Sequence, residues 1–335
     1  MFLFFFIIMV VLGLMLLDVL YMWVLLEVVF FGVVGILVYL GGKKLTMNGV
    51  VYYFFVQAMG GLILILSFLS EVCMYGNMYL LNNCIGVLNF FSCLMGLMIK
   101  LGFYPFYIQI LIIMSLLNFK QNLVFLVYPK LLPLMMMYDI IQQGSALFIV
   151  FVFSCFLLVV SSVQGVITTD IRAILGWSGM SQLSWMVLSI FSNLFIFLVF
   201  FFFYSYVLIF FVESLNSMGE GFFFGFGSLG VGGSIEYMVF LMLIMMSGLA
   251  PFLFFYLKVL LVFSFPTGFY KAGLLLVLIV TIGVLFFYLR LMQYIIGVGY
   301  TSGFFKVMGG SLNFSGGFIM LFFGFLGGGV LLLLI

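Results

Sequence analysis

Four charged residues lie inside long apolar stretches of the sequence: Glu27, Lys100, Lys130 and Lys258. A charged side chain inside a membrane costs about 2.5–3.5 kcal/mol on insertion scales, so such residues pair with one another or mark the paths of ions and protons. Burial makes an ammonium group release its proton more readily, and a neighbouring carboxylate reverses this effect. One carboxylate and three amines along an interior therefore predict a proton relay.

Glu27 and Lys100 each have a functional and a plain interpretation. Glu27 is flanked on both sides by apolar residues, and a short acidic side chain reaches poorly towards water. It could still be hydrated near the membrane surface, or be buried and protonated. Lys100 directly precedes an expected helix break, where unpaired carbonyl groups would stabilise an ammonium. Its plain alternative is a lysine that reaches the membrane surface from an ordinary helix end.

Lys130 and Lys258 have the same two interpretations. Lys130 lies in the middle of an apolar segment, between Pro129 and Pro133. Two prolines loosen the backbone, which predicts room for water beside the ammonium. Lys258 follows Pro251 by seven residues, and a lysine at the membrane interface is its plain alternative.

Polar side chains that could hold water between the charged residues are also present. They are Tyr107 and Gln182, together with Tyr52, Tyr53, Gln57 and Gln109. Each of them is more often a hydrogen-bonding residue between two helices. The sequence therefore offers them as candidates and leaves both roles open.

The composition predicts that membrane helices position these residues. The chain has 335 residues, of which 68% are hydrophobic and 5% charged, whereas a soluble domain has roughly 25% charged residues. About 228 apolar residues, at about 20 for each membrane helix, give about eleven helices. A transmembrane β-barrel is excluded because its strands alternate over roughly ten residues, and the apolar runs here are longer and unbroken.

The charge balance and the missing residue types exclude other functions. A net charge of +2 provides no basic footprint for nucleic acid. The sequence has no histidine, and its four cysteines form no Cys-x-x-Cys pair, so no metal, haem or iron–sulfur site is expected. The residues themselves therefore predict no metal-containing cofactor in this chain.

Eleven membrane-spanning helices are expected, with short loops between most of them. We place them at residues 1–17, 20–41, 49–69, 84–118, 122–141, 146–165, 172–191, 194–212, 236–264, 272–296 and 315–335. The predicted fold class is thus an all-α polytopic membrane protein, with residues 1–335 forming a single membrane domain.

The basic loop residues predict the orientation of these helices, because Lys and Arg accumulate in the loops on one side of a membrane. In this topology Lys271 falls on one face. Six basic residues fall on the other: Lys43, Lys44, Lys120, Arg172, Arg290 and Lys306. The N-terminus is therefore expected on the positive side, and the C-terminus on the opposite side.

One short pattern occurs twice inside an apolar run. Gly102 precedes Pro105, and Gly248 precedes Pro251, each within a Gly-x-x-Pro-Phe sequence. Proline removes a backbone donor and glycine adds backbone freedom, so both patterns predict a broken helix. In lipid, such breaks persist where they are buried or line a wet cavity.

The two patterns also predict an internal repeat. They lie in the fourth and ninth expected helices, which cross the membrane in opposite directions. The repeat is therefore inverted, an arrangement that marks ion and substrate sites in transporters. We expect a first five-helix repeat at 1–141, a second at 146–311 and a C-terminal helix at 312–335.

Six short motifs together resemble a known family. They are Leu26-Glu27, Tyr53-Phe54-Phe55-Val56-Gln57, Lys100-Leu101-Gly102-Phe103-Tyr104-Pro105-Phe106, Pro129-Lys130-Leu131-Leu132-Pro133, Thr169-Asp170-Ile171-Arg172-Ala173-Ile174-Leu175-Gly176-Trp177-Ser178, and Ser247-Gly248-Leu249-Ala250-Pro251-Phe252 with Lys258. Each motif alone is weak, but the set in this order is specific. Over its whole length the chain resembles the antiporter-like subunit 2 family of mitochondrial NADH:ubiquinone oxidoreductase, respiratory complex I.

The resemblance implies a role for each buried charge in proton translocation. It implies that Glu27 pairs with Lys100, that Lys130 is a central station and that Lys258 lies on the exit path. Flavin, iron–sulfur clusters, NADH and ubiquinone would bind elsewhere in the complex, and their redox chemistry would drive the proton movement.

The resemblance also implies a membrane and partners for the chain. At two positions the sequence differs from the family. Other membrane-arm subunits and lipids such as cardiolipin are the expected partners, in the mitochondrial inner membrane. The N-terminus would face the matrix, and the C-terminus the intermembrane space. The family usually has histidine at the positions of Tyr107 and Gln182, so a relay that needs imidazole there cannot operate in this chain.

Two other functions stay open. The chain could be a free-standing cation/proton antiporter, because antiporter folds share the broken helices. It could also be a non-pumping structural subunit of the membrane arm. A mere brace, however, gains nothing from four buried charges.

Overall fold

The chain is built from α-helices. A computed structural model describes residues 19–42, 44–75, 87–142, 147–218, 233–249, 252–265 and 268–302. In these segments the helices are α1 (Val19–Leu40), α2 (Lys44–Tyr75), α3 (Val87–Leu101), α4 (Tyr107–Leu116), α5 (Phe119–Val127), a 3₁₀ turn (Tyr128–Lys130), α6 (Leu131–Gln142), α7 (Leu147–Ile167), α8 (Ile171–Ile190), α9 (Leu194–Met218), α10 (Gly233–Ser247), α11 (Leu253–Ser264) and α12 (Gly268–Ser302).

Long apolar helices are the structure expected of this sequence in lipid, where each backbone N–H and C=O group must be satisfied within its own segment. Six helical segments in the described part are long and apolar enough to cross a membrane: 20–40, 44–73, 119–141, 148–167, 194–216 and 273–293. The predicted all-α membrane fold is therefore confirmed there. The first and last expected helices, 1–17 and 315–335, lie outside the described residues.

The chain divides into two compact units. The first comprises 1–157 and 175–194, and the second comprises 158–174 and 195–335. Helices α7 and α8 each contribute residues to both units. The division into repeats at 1–141 and 146–311, with a final helix at 312–335, stays a prediction.

In the first unit, buried amides fasten three helix ends together. The Asn118 backbone N–H donates a hydrogen bond to Oε1 of Gln121 at 3.0 Å. Gln121 Nε2 in turn donates to the Leu37 carbonyl at 2.7 Å. Asn122 Nδ2 donates to the Met114 carbonyl at 3.2 Å. Helix ends leave backbone groups without partners, so these bonds satisfy the ends of α1 and α4 where α5 begins.

In the second unit, Arg290 of α12 binds the end of α7. Its guanidinium donates to the carbonyl oxygens of Gly165, at 3.1 Å, and of Val166 and Thr168. These are carbonyls at a helix C-terminus, which has no intrahelical donors left and carries a partial negative charge. Arg290 therefore neutralises that end and joins the two helices.

The glycines of both repeated patterns adopt left-handed backbone conformations. Gly102 follows α3 with φ of 61°, and Gly248 follows α10 with φ of 72°. After α3, the Phe103 N–H donates to the Met98 carbonyl at 2.8 Å, and the Gly102 N–H donates to the Ile99 carbonyl at 3.1 Å. These two bonds form a Schellman motif, which favours glycine because L-residues with a side chain are strained there.

Each break separates two half-helices. Pro105 follows Tyr104 through a cis peptide bond, and α4 begins two residues after it at Tyr107. In the second pattern, Pro251 lies outside the described residues, and α11 begins at Leu253 after an extended Phe252.

We expect Gly102→Ala to destabilise the protein by at least about 1–2 kcal/mol, because an L-residue pays roughly that amount in the left-handed region. A Cβ at this position would also collide with the side chain of Ile110. The measurement is the midpoint of thermal unfolding. Gly35→Ala in α1 is the matched control, because a Cβ there meets nothing within 4 Å. Equal midpoints for the two variants would contradict the prediction.

Candidate functional site

Glu27 and Lys100 form an ion pair in the first unit. Lys100 Nζ donates to Glu27 Oε1 at 2.6 Å. Only 2% of the Lys100 side chain and 17% of the Glu27 side chain are exposed. Such a short charge-assisted bond is among the strong hydrogen bonds of proteins. The structure therefore brings together the two charges that the resemblance pairs.

Three helices position this ion pair. Glu27 lies on α1, and Lys100 lies in the last turn of α3, where the negative end of the helix favours an ammonium. Gln57 of α2 donates from Nε2 to the Lys100 carbonyl at 2.9 Å. This bond satisfies a carbonyl group that the helix break leaves without its usual partner.

Lys130 lies at the end of the 3₁₀ turn between α5 and α6, with 3% of the residue exposed. Its Nζ is 3.5 Å from the Gly179 carbonyl of α8, at the long limit of a hydrogen bond. Pro129 lies within the turn, and Pro133 lies in the first turn of α6, where the missing N–H costs little. At the two prolines the α-helix thus changes to one 3₁₀ turn, and α6 follows this turn without a gap.

Lys100 and Lys130 line the same small cavity. Gln57, Gln109, Gly102 and Pro129 are also part of its wall. Charges on two residues that line one small buried cavity are screened less than charges in water, because the protein interior has a low dielectric constant.

A second small cavity adjoins the ion pair. Lys100 and Gln57 line this cavity too, together with Tyr53. Among the described residues, Tyr53 Oη and Gln109 Oε1 are buried atoms with no hydrogen-bond partner. A buried polar atom without a partner is costly, and bound water is the usual remedy where the site is polar. Both cavities are therefore suited to water.

Lys258 lies in α11, in the second unit, with 4% of the residue exposed. A Cβ built on Gly248 would lie 2.7 Å from Lys258 Nζ. The ammonium group is therefore packed against the end of α10, where the helix dipole is negative. The missing side chain of Gly248 provides the space for it.

Tyr107 and Gln182 occupy other environments. The Tyr107 ring stacks on Tyr104, with centroids 6.2 Å apart, and contacts Trp177 at 5.8 Å. Gln182 is buried on α8. Neither residue is among those that line the two cavities described above, and a water-holding role for either stays a prediction.

Comparison with known proteins identifies relatives. No protein-family model matches the chain. NADH-ubiquinone oxidoreductase chain 2 of Anopheles gambiae is 27% identical over 258 residues, which are 76% of this chain and 73% of the relative. The protein of the same name from Locusta migratoria is 26% identical over 242 residues, 71% of this chain and 68% of the relative. That of Hylobates lar is 29% identical over 145 residues, 42% of this chain and 40% of the relative.

Solved structures share the fold. A chain of an archaeal membrane-bound sulfane sulfur reductase superposes with a TM-score of 0.78 at 11% identity, covering 93% of this chain and 68% of that one. A chain of the Mrp complex of a Dietzia species superposes with a TM-score of 0.71 at 14% identity, covering 82% of this chain and 56% of that one. A chain of respiratory complex I from Thermus thermophilus superposes with a TM-score of 0.70 at 15% identity, covering 94% of this chain and 75% of that one.

The resemblance predicted from the sequence is thereby confirmed. Two relatives match along about 70% or more of this chain, and the structural neighbours are subunits of large membrane complexes. This chain is a homologue of the NADH-ubiquinone oxidoreductase chain 2 proteins and has the polytopic helical fold of those membrane subunits.

Proposed function

We propose that this chain is an antiporter-like, proton-translocating subunit in the membrane arm of NADH:ubiquinone oxidoreductase. Electron transfer from NADH to ubiquinone on other subunits would drive the movement. The observation that supports this proposal best is the shared cavity of Lys100 and Lys130, with Lys100 paired to Glu27. A buried ion pair beside a second buried ammonium is an unfavourable arrangement for a mere scaffold.

In the proposed mechanism, the ion pair controls the charge felt at Lys130. While Glu27 holds Lys100, the carboxylate offsets the positive charge on one side of the cavity. When the pair opens, the uncompensated ammonium repels the second one across the cavity that both lysines line. Lys130 then releases its proton, and closing the pair lets it take up another.

Water would carry the proton within these cavities. Tyr53 Oη and Gln109 Oε1 are buried atoms in the walls that need hydrogen-bond partners. Lys258 in the second unit would serve as the exit station. Tyr107 and Gln182 can hold water through their polar atoms, in a route without imidazole.

The proposal extends to the surroundings of the chain. We place it in the mitochondrial inner membrane, with its N-terminus on the matrix side and its C-terminus on the intermembrane-space side. Its neighbours would be other membrane-arm subunits and lipids such as cardiolipin. The chain would act within a proton-translocating NADH:ubiquinone reductase and bind no cofactor.

Replacing all four charges at once tests this function. We expect a variant with Glu27→Gln and methionine at the three lysines to assemble, but to move fewer protons for each electron in proteoliposomes. The matched control is Lys120→Met, because this lysine is exposed. An unchanged proton-to-electron ratio, with altered stability only, would instead identify a structural subunit.

Native gel electrophoresis tests the free-standing antiporter. We expect the chain to migrate with NADH dehydrogenase activity in one large complex. Migration as a small species that catalyses cation/proton exchange alone would overturn the proposal.

A further inference from the structure

Gly61 of α2 lies directly against the ion pair. A Cβ built on Gly61 would collide with Glu27 Oε1, and it would lie 3.2 Å from Glu27 Cδ and 3.4 Å from Lys100 Nζ. The carboxylate therefore occupies the space that any other residue would fill with its side chain. Helix α2 packs against both α1 and α3, so this space is where the three helices meet.

Trp23 of α1 contacts the same glycine through a hydrogen bond. Its indole N–H donates to the Gly61 carbonyl at 3.1 Å. Trp23 precedes Glu27 by four residues, which places both on one face of α1. The two helices are thus joined at Gly61 by a hydrogen bond to its carbonyl and by the carboxylate packed over its Cα atom.

The neighbouring glycines let α3 approach closely. A Cβ on Gly60 would lie 3.0 Å from Lys100 Cγ and 3.3 Å from the Gly96 carbonyl. A Cβ on Gly96 would lie 3.1 Å from the Gly60 carbonyl and 2.7 Å from Leu64 Cγ. Small residues allow two membrane helices to cross with their backbones near each other. The stem of Lys100 therefore passes over Gly60 and brings its ammonium to Gly61.

We propose that Gly61 is a positioning residue that sets the contact between Glu27 and Lys100. This inference rests on the proposed function, because it concerns the ion pair that would control proton release. The attraction between two buried charges offsets their desolvation only when their geometry is good. A side chain at this position would displace the carboxylate and open the pair permanently.

The first test is Gly61→Ala in the purified complex, measured as protons moved for each electron in proteoliposomes. We expect most of the pumping to be lost, to the level of Glu27→Gln. Gly35→Ala is the matched control, since a Cβ meets nothing within 4 Å there. Alanine is also the better helix former, so a loss at position 61 cannot come from helix propensity. Pumping by Gly61→Ala at the level of Gly35→Ala would overturn the inference.

The second test asks whether space for the carboxylate is the cause. Glu27→Asp withdraws the carboxylate by one methylene group, about 1.5 Å. We expect this change to lower pumping when residue 61 is glycine, and to restore part of it in the Gly61→Ala variant. If Glu27→Asp lowers pumping by the same factor in both backgrounds, Gly61 serves helix packing alone and the inference fails.

If Gly61→Ala fails to assemble, the role of Gly61 is tested by comparing Gly61→Ala with and without Glu27→Asp. Recovery of assembled complex on a native gel by the added Glu27→Asp supports the inference, and no recovery overturns it. Glu27→Gln separates this inference from the proposed function. Normal pumping by Glu27→Gln would contradict the function itself, whereas lost pumping by Glu27→Gln with normal pumping by Gly61→Ala would contradict only the role of Gly61.

Discussion

Lys130→Met is expected to leave the complex assembled while lowering its coupled NADH oxidation and proton movement by roughly tenfold or more. Groups that donate and accept protons contribute about 10²–10⁴-fold to the reactions they serve, and Lys130 is the central station in the proposed route. The residue is almost fully buried, and its Nζ is 3.5 Å from the Gly179 carbonyl. Methionine has a similar length and no charge, so it fills the same space without a buried charge to desolvate.

Two measurements separate this result from a general defect. The amount of assembled complex is measured on native gels, and proton uptake is measured in proteoliposomes. Lys120→Met removes an exposed lysine and is expected to leave both unchanged. Normal coupled activity with an intact proton gradient in Lys130→Met would contradict the assigned role.

Lys130→Arg distinguishes a proton station from a fixed charge. Arginine keeps the positive charge but does not release its proton in proteins. If Lys130 itself gives up a proton, Lys130→Arg pumps as poorly as Lys130→Met. Restored pumping with arginine would mean that the residue acts by its field alone.

The sequence predicts the helices well because lipid imposes a simple rule on it. Each spanning segment needs about 20 apolar residues, and the expected helices match those of the described part. The structure extends some of them beyond the apolar core. The helix expected at 49–69 runs as Lys44–Tyr75, and that expected at 272–296 runs as Gly268–Ser302. Backbone hydrogen bonding continues past the end of an apolar run, where hydropathy gives no signal.

The sequence also identifies the buried charges, because a lysine or glutamate is conspicuous in an apolar run. It does not identify their partners. The resemblance, and not the spacing, pairs Glu27 with Lys100, since the two residues are far apart in the chain. The cavity that Lys100 shares with Lys130 depends on how α2, α3, α4 and α5 pack, which no local pattern encodes.

Gly61 is the residue that sequence reasoning misses. Glycine is common in this chain, with 38 residues, and a helical glycine has no distinctive local signal. Its importance appears only when a neighbouring helix places a carboxylate against its Cα atom. Tyr107 shows a contact that the sequence does not predict: its ring stacks on Tyr104 and contacts Trp177, while a water site at its hydroxyl stays a prediction.

The second large effect is expected when one member of the ion pair is removed. Lys100→Met leaves the Glu27 carboxylate without its 2.6 Å partner in a mostly buried position. Breaking a buried pair in this way costs about 3–5 kcal/mol, because the remaining charge is uncompensated. We therefore expect a large decrease in the thermal stability of the complex together with a loss of pumping.

Adding Glu27→Gln to Lys100→Met separates the two losses. The double variant has no buried charge left at this place, so most of the lost stability is expected to return. Pumping is expected to stay low, because the double variant lacks the pair that is proposed to control Lys130. The unchanged protein, the two single variants and the double variant form a double-mutant cycle. This cycle measures the coupling free energy between Glu27 and Lys100 directly. Recovery of pumping along with stability would show that the pair only braces α1 against α3, whereas recovery of stability alone assigns the pair to proton movement.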